Sequence, residues 1–489
     1  MNVLKRLAGQ TAIYGLPTII GRVLNYLLVP LYTRVLDPAE YGVVTEFYAY
    51  VAFLYVLLGY GMETAFFRYS KTEESGKIVF STALLSIIAT TLLFLILAIG
   101  FSGNIASYMG YASHREYIIW FALILGFDSI CAIPFAQLRQ QGRAARFAFV
   151  RSVNIFTNIG LNLFFLLFCP FALKTWGSTA ILEFIYNPDF GVWYIFISNL
   201  IASTITFVLL ISSAKGVKLV FNAALWKQMI IYAWPLLIFG LAGVVNETFD
   251  RILLKHLLPE DSDPIYQLGI YGACYKISIL MTLFIQTYKY AAEPFFFEQM
   301  KNQDAKLLYA RVMNYFVAIC GFIFAAIMLN IDIVILLIGR EFREGAAVIP
   351  ILLMANLFLG IFYNLSVWFK LTGKTFHGAM VAVAGMIITL VLNFLLIPRF
   401  GYIGAAWATF ICYASMMIIS YLLGRRYYPV PYNVLKISLY IILAAFLYYL
   451  STLFKFENRL LIRFSSLVLL MMYVVIVIFA EKYHKPEVA

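Results

Sequence analysis

Apolar residues run down this chain in unbroken blocks separated by short polar stretches, without the shorter amphipathic alternation of a soluble protein. A helix needs about 20 apolar residues to cross the ~30 Å hydrocarbon core of a bilayer. About fourteen blocks reach that length. They lie near 11–33, 43–66, 78–101, 117–138, 147–169 and 191–213, then near 229–252, 267–290, 307–330, 346–369, 379–397 and 403–424, with two more near 436–453 and 461–480. The pattern predicts an all-α integral membrane protein of about 14 transmembrane helices. Connections are short, the longest being about 20 residues around Lys174 to Asp189, so the loops hold no soluble domain. The first block follows basic residues but is span-length and lacks a small-residue cleavage site, so it is expected to remain as the first span.

The two sets of six blocks resemble each other. Arg139, Gly142, Arg143, Leu161 and Asn162 recur as Lys370, Gly373, Lys374, Leu392 and Asn393, each 231 positions later. Tyr14 and Pro17 match Tyr232 and Pro235, while Gly42 and Tyr48 match Gly269 and Tyr275. An even number of spans returns the chain to its starting side, so the two sets are parallel and related by an axis along the membrane normal. The expected architecture is two parallel six-helix lobes, residues 1–215 and 216–426, around a central cavity. Residues 427–489 add two C-terminal helices and a tail.

Composition agrees with this class. Of 489 residues, 63% are hydrophobic and only 12% charged, against about 25% in soluble domains. The net charge of +12 would suggest nucleic acid in a soluble chain; its distribution here speaks of topology instead. With both termini cytoplasmic, about 22 Lys and Arg fall on the cytoplasmic side against about 11 outside. No nucleic-acid partner is expected. The five cysteines are isolated in or beside apolar blocks, with no C-x-x-C pair, and read as packing residues.

Charge inside the spans carries the candidate chemistry. Arg22 stands near the middle of the first block, where a guanidinium costs about 2.5–3.5 kcal/mol on insertion scales and normally faces a partner or a polar cavity. Asn25 lies one turn on. Glu46 and Glu63 fall in the second span, Asp128 in the fourth, Asn246, Glu247, Asp250 and Arg251 in the seventh, and Lys276 and Lys289 in the eighth. Spans 1, 2, 7 and 8 are the leading pairs of the two repeats, so they are expected to line the cavity. Arg22, Asn25, Arg251, Lys276 and Lys289 are the candidate substrate-binding residues, since such cations attract phosphate and a guanidinium can bind two of its oxygens. Glu63, Asp128, Glu247 and Asp250 are the candidate coupling acids, for H+ or Na+. Glu247, Asp250 and Arg251 share one helical face at i, i+3 and i+4. Two readings stay open for Arg251, a cavity residue or a side chain snorkelling to the interface, and Lys289 reads equally as a cytoplasmic anchor. Pro17 and Pro235, at equivalent places, are candidate hinges or static kinks.

Enzyme signatures are absent. Gly373, Lys374 and Thr375 resemble the tail of a phosphate-binding loop, but Trp368 replaces its first glycine and helices flank it rather than a strand. The four histidines have no metal-ligand spacing. Neither a catalytic residue, a metal site nor a cofactor is expected.

Gly21 to Gly42, GRVLNYLLVPLYTRVLDPAEYG, with FDRILLKHLLP in the seventh span and LGIYGACYKI after it, resembles the Wzx-type polysaccharide flippases of the multidrug/oligosaccharidyl-lipid/polysaccharide exporter superfamily. The likeness extends over essentially the whole chain. It implies movement of an undecaprenyl-diphosphate-linked oligosaccharide, such as an O-antigen, capsule or exopolysaccharide unit, from the inner to the outer leaflet of the bacterial cytoplasmic membrane. Alternating access driven by an ion gradient is the implied mechanism, with membrane lipids and other polysaccharide-assembly proteins as partners. Gly21, Arg22, Val23 and Leu24 are also similar to the first helix of the related lipid II flippase, but Leu28 stands where that family has a second arginine. A lipid II flippase or a multidrug cation antiporter of the same superfamily is the alternative, and a membrane glycan polymerase or ligase is a remoter one.

Overall fold

The computed structural model describes residues 21, 23–70, 73–177, 179–188, 190–211, 220–300, 302–453 and 458–483. The described residues form helices and no strand. Twelve of the described helical segments are long and apolar enough to cross a membrane, so the chain is a multi-pass membrane protein. The first part of the first expected span, including Pro17 and Arg22, lies outside the described residues.

Two of the expected spans share one continuous assignment, Thr375–Tyr427, broken only at Gly401. A straight helix of that length would hold Gly385 and Cys412 about 40 Å apart at 1.5 Å per residue. Instead the Cys412 thiol donates to the Gly385 carbonyl at 3.4 Å. The segment is therefore a hairpin of two antiparallel helices, 375–400 and 402–427, turning at Gly401. That glycine has φ 56° and ψ −139°, a conformation closed to residues with a Cβ, and an added Cβ would sit 2.6 Å from Gln267 Oε1. Gly401→Ala is expected to destabilise the protein by about 1–3 kcal/mol, read as a lower thermal midpoint in detergent; an unchanged midpoint would contradict this account of the turn.

Contacts divide the chain into two units, Met1–Lys255 and His256–Ala489. In the first, the Pro38–Gly59 helix opens with a capping box: Asp37 accepts from the Glu40 backbone at 2.8 Å and the Glu40 carboxylate accepts from the Asp37 N–H at 3.1 Å. Glu73–Gly100 packs on Arg115–Gln140, and Gly191–Ile211 packs on both Arg115–Gln140 and Ala144–Leu163. Phe47, Phe121 and Phe196 meet at the centre, with Phe121 stacked 4.7 Å from Phe47 and edge-on to Phe196 at 4.5 Å. The Ala223–Leu257 helix belongs to this unit as far as Lys255; its Met229 and Ala233 share a buried cluster with Phe66, Phe80 and Ile133.

In the second unit, Val348–Leu365 is covered by the Thr375–Tyr427 hairpin and by Pro264–Gln299, while Ala305–Leu329 packs on Val434–Leu453. Arg459–Tyr483 is tied in at both ends. Arg463 makes two bonds to Asp332, at 2.9 and 2.5 Å, and Glu481 accepts from Lys436 at 2.8 Å and from the Tyr440 hydroxyl at 2.7 Å. The rest of that helix exposes Leu460, Phe464, Met471 and Phe479, an apolar surface suited to acyl chains.

The sequence repeat has a structural counterpart within each unit. Gly142 and Gly373 both adopt positive φ, 67° and 71°, at the turn before the next helix. The cation three residues earlier is paired in each case, Arg139 with Glu63 and Lys370 with Glu293. Asn162 and Asn393 are both fully buried, and each donates to the carbonyl four residues back at 2.8 Å.

Candidate functional site

Among the buried polar groups described in the first unit, two clusters contain charged side chains. One is a seam between the helices Pro38–Gly59, Arg115–Gln140, Ala144–Leu163 and Gly191–Ile211. Asn199 donates to the Tyr48 hydroxyl at 2.8 Å, Asn154 to Thr206 at 2.9 Å, and Tyr32 to Asn162 at 2.9 Å. Asp128 lies in this seam, facing Ser203 and Arg151. Arg151 in turn stacks over the Phe135 ring, 4.1 Å from its centroid. A carboxylate, a guanidinium and neutral hydrogen-bonding groups thus share one polar layer inside an apolar bundle, where a polar group without a partner would be costly.

The second cluster is tighter. Glu46, on the Pro38–Gly59 helix, has no solvent exposure. Both its oxygens accept from the Lys255 ammonium, at 2.9 and 2.8 Å, and one also accepts from the Tyr111 hydroxyl at 2.5 Å. Lys255 donates further to the Met109 carbonyl at 2.5 Å and sits 4.3 Å from the Tyr111 ring centroid. Three oxygens and an aromatic face therefore enclose one ammonium. Tyr111 lies between the membrane spans; burial and the adjacent Glu46 carboxylate hold its phenol far above its ordinary value, so it remains a donor.

The structure places the sequence candidates as follows. Arg22 and Pro17 lie outside the described residues, and Asn25 is exposed near the start of what is described. Glu63 pairs with Arg139 at the end of its span, apart from the Glu46 cluster. Asp250 is buried and accepts from the Arg251 backbone N–H at 2.9 Å, while Glu247 is exposed and Arg251 half-buried. Pro235 lies within a helix that continues from Ala223 to Leu257. In the second unit, Lys276 is half-buried and Lys289 is exposed, its ammonium 4.4 Å from the Tyr363 ring centroid. Sequence reasoning noticed Glu46 but passed over Lys255 and Tyr111. The available signal was the opposite charge of Glu46 in the second span and Lys255 just past the end of the seventh, 209 positions apart.

Solved structures share this fold over nearly their whole length. A lipid II flippase MurJ in an inward closed conformation superposes with a TM-score of 0.69 at 13% identity, covering 95% of this chain and 98% of that one. An inward-facing multidrug resistance MATE family transporter of the MOP superfamily gives 0.65 at 15% identity, covering 88% and 98%. The architecture is thus that of a membrane transporter fold. The polysaccharide biosynthesis protein family matches residues 7–300, more than half of the chain, and the chain belongs to that family. A relative in Staphylococcus aureus, the capsular polysaccharide biosynthesis protein CapF, is 23% identical over 368 residues, 73% of this chain and 83% of that protein.

Proposed function

We propose that this protein is a flippase carrying undecaprenyl-diphosphate-linked oligosaccharide from the inner to the outer leaflet of the bacterial cytoplasmic membrane. What carries the reading is the combination of a polysaccharide biosynthesis family match with a fold found in a lipid II flippase. The substrate's amphiphilic chemistry suits such a protein: the diphosphate needs cations and the sugars need a polar path, while the polyprenyl tail can stay in lipid. Arg22, Asn25, Arg251, Lys276 and Lys289 are the groups proposed to meet the diphosphate and glycan. The lobes of residues 1–215 and 216–426 alternate access to the two leaflets, with both termini cytoplasmic and H+ or Na+ supplying the drive. No cofactor takes part, and the chain makes and breaks no glycosidic bond.

Purified protein in vesicles holding a lipid-linked repeat unit on one leaflet should speed its appearance on the other at least about tenfold over protein-free vesicles, a barrier change of about 1.4 kcal/mol. Collapse of the ion gradient should slow it. No acceleration overturns the flippase reading, and longer glycans in the product overturn the non-enzymatic one. Because a multidrug transporter shares the fold, efflux of a cationic dye with no glycan movement would assign the chain to that class instead.

A further inference from the structure

The two Glu46 oxygens and the Met109 carbonyl surround the Lys255 ammonium as oxygen ligands surround a small cation, with the Tyr111 hydroxyl donating to Glu46 and its ring against the ammonium. We infer that this cage is a monovalent-cation site which Lys255 occupies as a tethered plug, and that an incoming H+ or Na+ takes over the Glu46 charge when Lys255 withdraws.

Three observations carry this. First, Glu46 has no solvent exposure, so an ionised carboxylate there needs a cation beside it, and Lys255 is bridged to it through both oxygens. Second, the plug is mounted differently from the cage. Glu46 belongs to the second span and Met109 and Tyr111 to the segment after the third, whereas Lys255 stands two residues before the end of the Ala223–Leu257 helix. The division between the two compact units falls immediately after Lys255. Lys255 closes the same unit that holds the cage, so a local shift of that helix end removes the ammonium and leaves the three oxygens of Glu46 and Met109 in place. Third, the neighbours favour a replaceable cation over a permanent neutral acid. The phenols Tyr50 and Tyr111 and the amine Lys255 face Glu46, with Tyr108 beside Tyr50 and Tyr117 beside Tyr111. A carboxylate and a carbonyl oxygen form an oxygen set suited to a hard cation, and the Tyr111 phenol holds the carboxylate in place. Withdrawal of the plug and uptake of the ion are thermodynamically linked, so each promotes the other by the same factor.

The inference goes beyond the proposed substrate, and its test needs none. Full-length protein in detergent is exposed to an amine-reactive reagent, and labelling of Lys255 is read by mass spectrometry against Lys482 as an internal reference. At fixed pH, sodium chloride in place of choline chloride should raise relative Lys255 labelling several-fold if Na+ enters the cage. A rise on acidification by about two pH units, with Na+ absent, assigns the proton instead. Glu46→Gln should label strongly under all conditions. Constant low labelling of the wild type in both series overturns the proposal.

Thermal stability gives an independent second measurement. Lys255→Met together with the doubly neutral Glu46→Gln/Lys255→Met is compared for thermal midpoint. Stabilisation of the single variant by Na+ or by acid, absent in the double variant, supports the site; identical responses in the two variants overturn it. A failure of glycan flipping with intact cation responses would sink the proposed substrate and leave the cation site standing.

Discussion

Lys255→Ala is expected to destabilise the folded protein by about 3–5 kcal/mol, because it strands a carboxylate that has no access to water. The two partners of this pair are not equivalent. Glu46 is completely buried, whereas the Lys255 side chain keeps 12% exposure and can swing its ammonium toward solvent. Glu46→Gln alone is therefore expected to cost less, since the amide oxygen still accepts from Tyr111 and the ammonium retains the Met109 carbonyl. Combining Glu46→Gln with Lys255→Ala should recover part of the loss of the single lysine variant, the signature of a coupled pair. Thermal unfolding in detergent for the wild type and the three variants checks this. Independent, additive losses of about 0.5 kcal/mol or less would show that the pair is not a stabilising unit.

Arg22→Ala is expected to reduce glycan flipping by one to two orders of magnitude while the protein still folds in the membrane, and Arg22→Lys to keep part of the activity. The expectation rests on the sequence, because Arg22 lies outside the described residues. Charge-assisted hydrogen bonds to a phosphate contribute about 1.5–3 kcal/mol, which corresponds to roughly 10- to 150-fold in affinity. Lysine preserves the charge but presents a single donor centre where a guanidinium can span two oxygens, so its partial activity would separate simple charge attraction from bidentate recognition. Vesicle flipping assays at matched protein levels provide the measurement. Wild-type rates for the alanine variant would remove Arg22 from the substrate path.

The lobe boundaries expected from the repeat and the compact units of the structure describe different properties of the chain. The repeat groups helices by sequence likeness, which puts residues 216–426 together. Contacts group them by packing, which puts most of Ala223–Leu257 with the first unit through Met229, Ala233 and Lys255. One physical account fits both: the helix that opens the second repeat is held by the first unit through an apolar cluster and one ionic cage.

Local physics was legible in the chain itself. Long apolar blocks specify spanning helices because a bilayer leaves no other way to satisfy the backbone. The recurrence of Gly142 as Gly373 and of Asn162 as Asn393 is visible in the sequence, and the structure gives the matched positions matching left-handed turns and matching buried amides. The turn at Gly401 also falls between two blocks that hydropathy had already separated. Tertiary structure alone decided which charges share a site. Glu46 and Lys255 are 209 positions apart, and hydropathy carries no term for which helix face meets which. Glu63 looked equivalent to Glu46 as an acid in the same span, yet the fold pairs it with Arg139 at the span's end and makes Glu46 a fully buried wall of the cage around Lys255. The reason is geometric: the depth of a charge can be counted along a helix, but its partner depends on how helices distant in sequence rotate and pack, and only the assembled bundle contains that information.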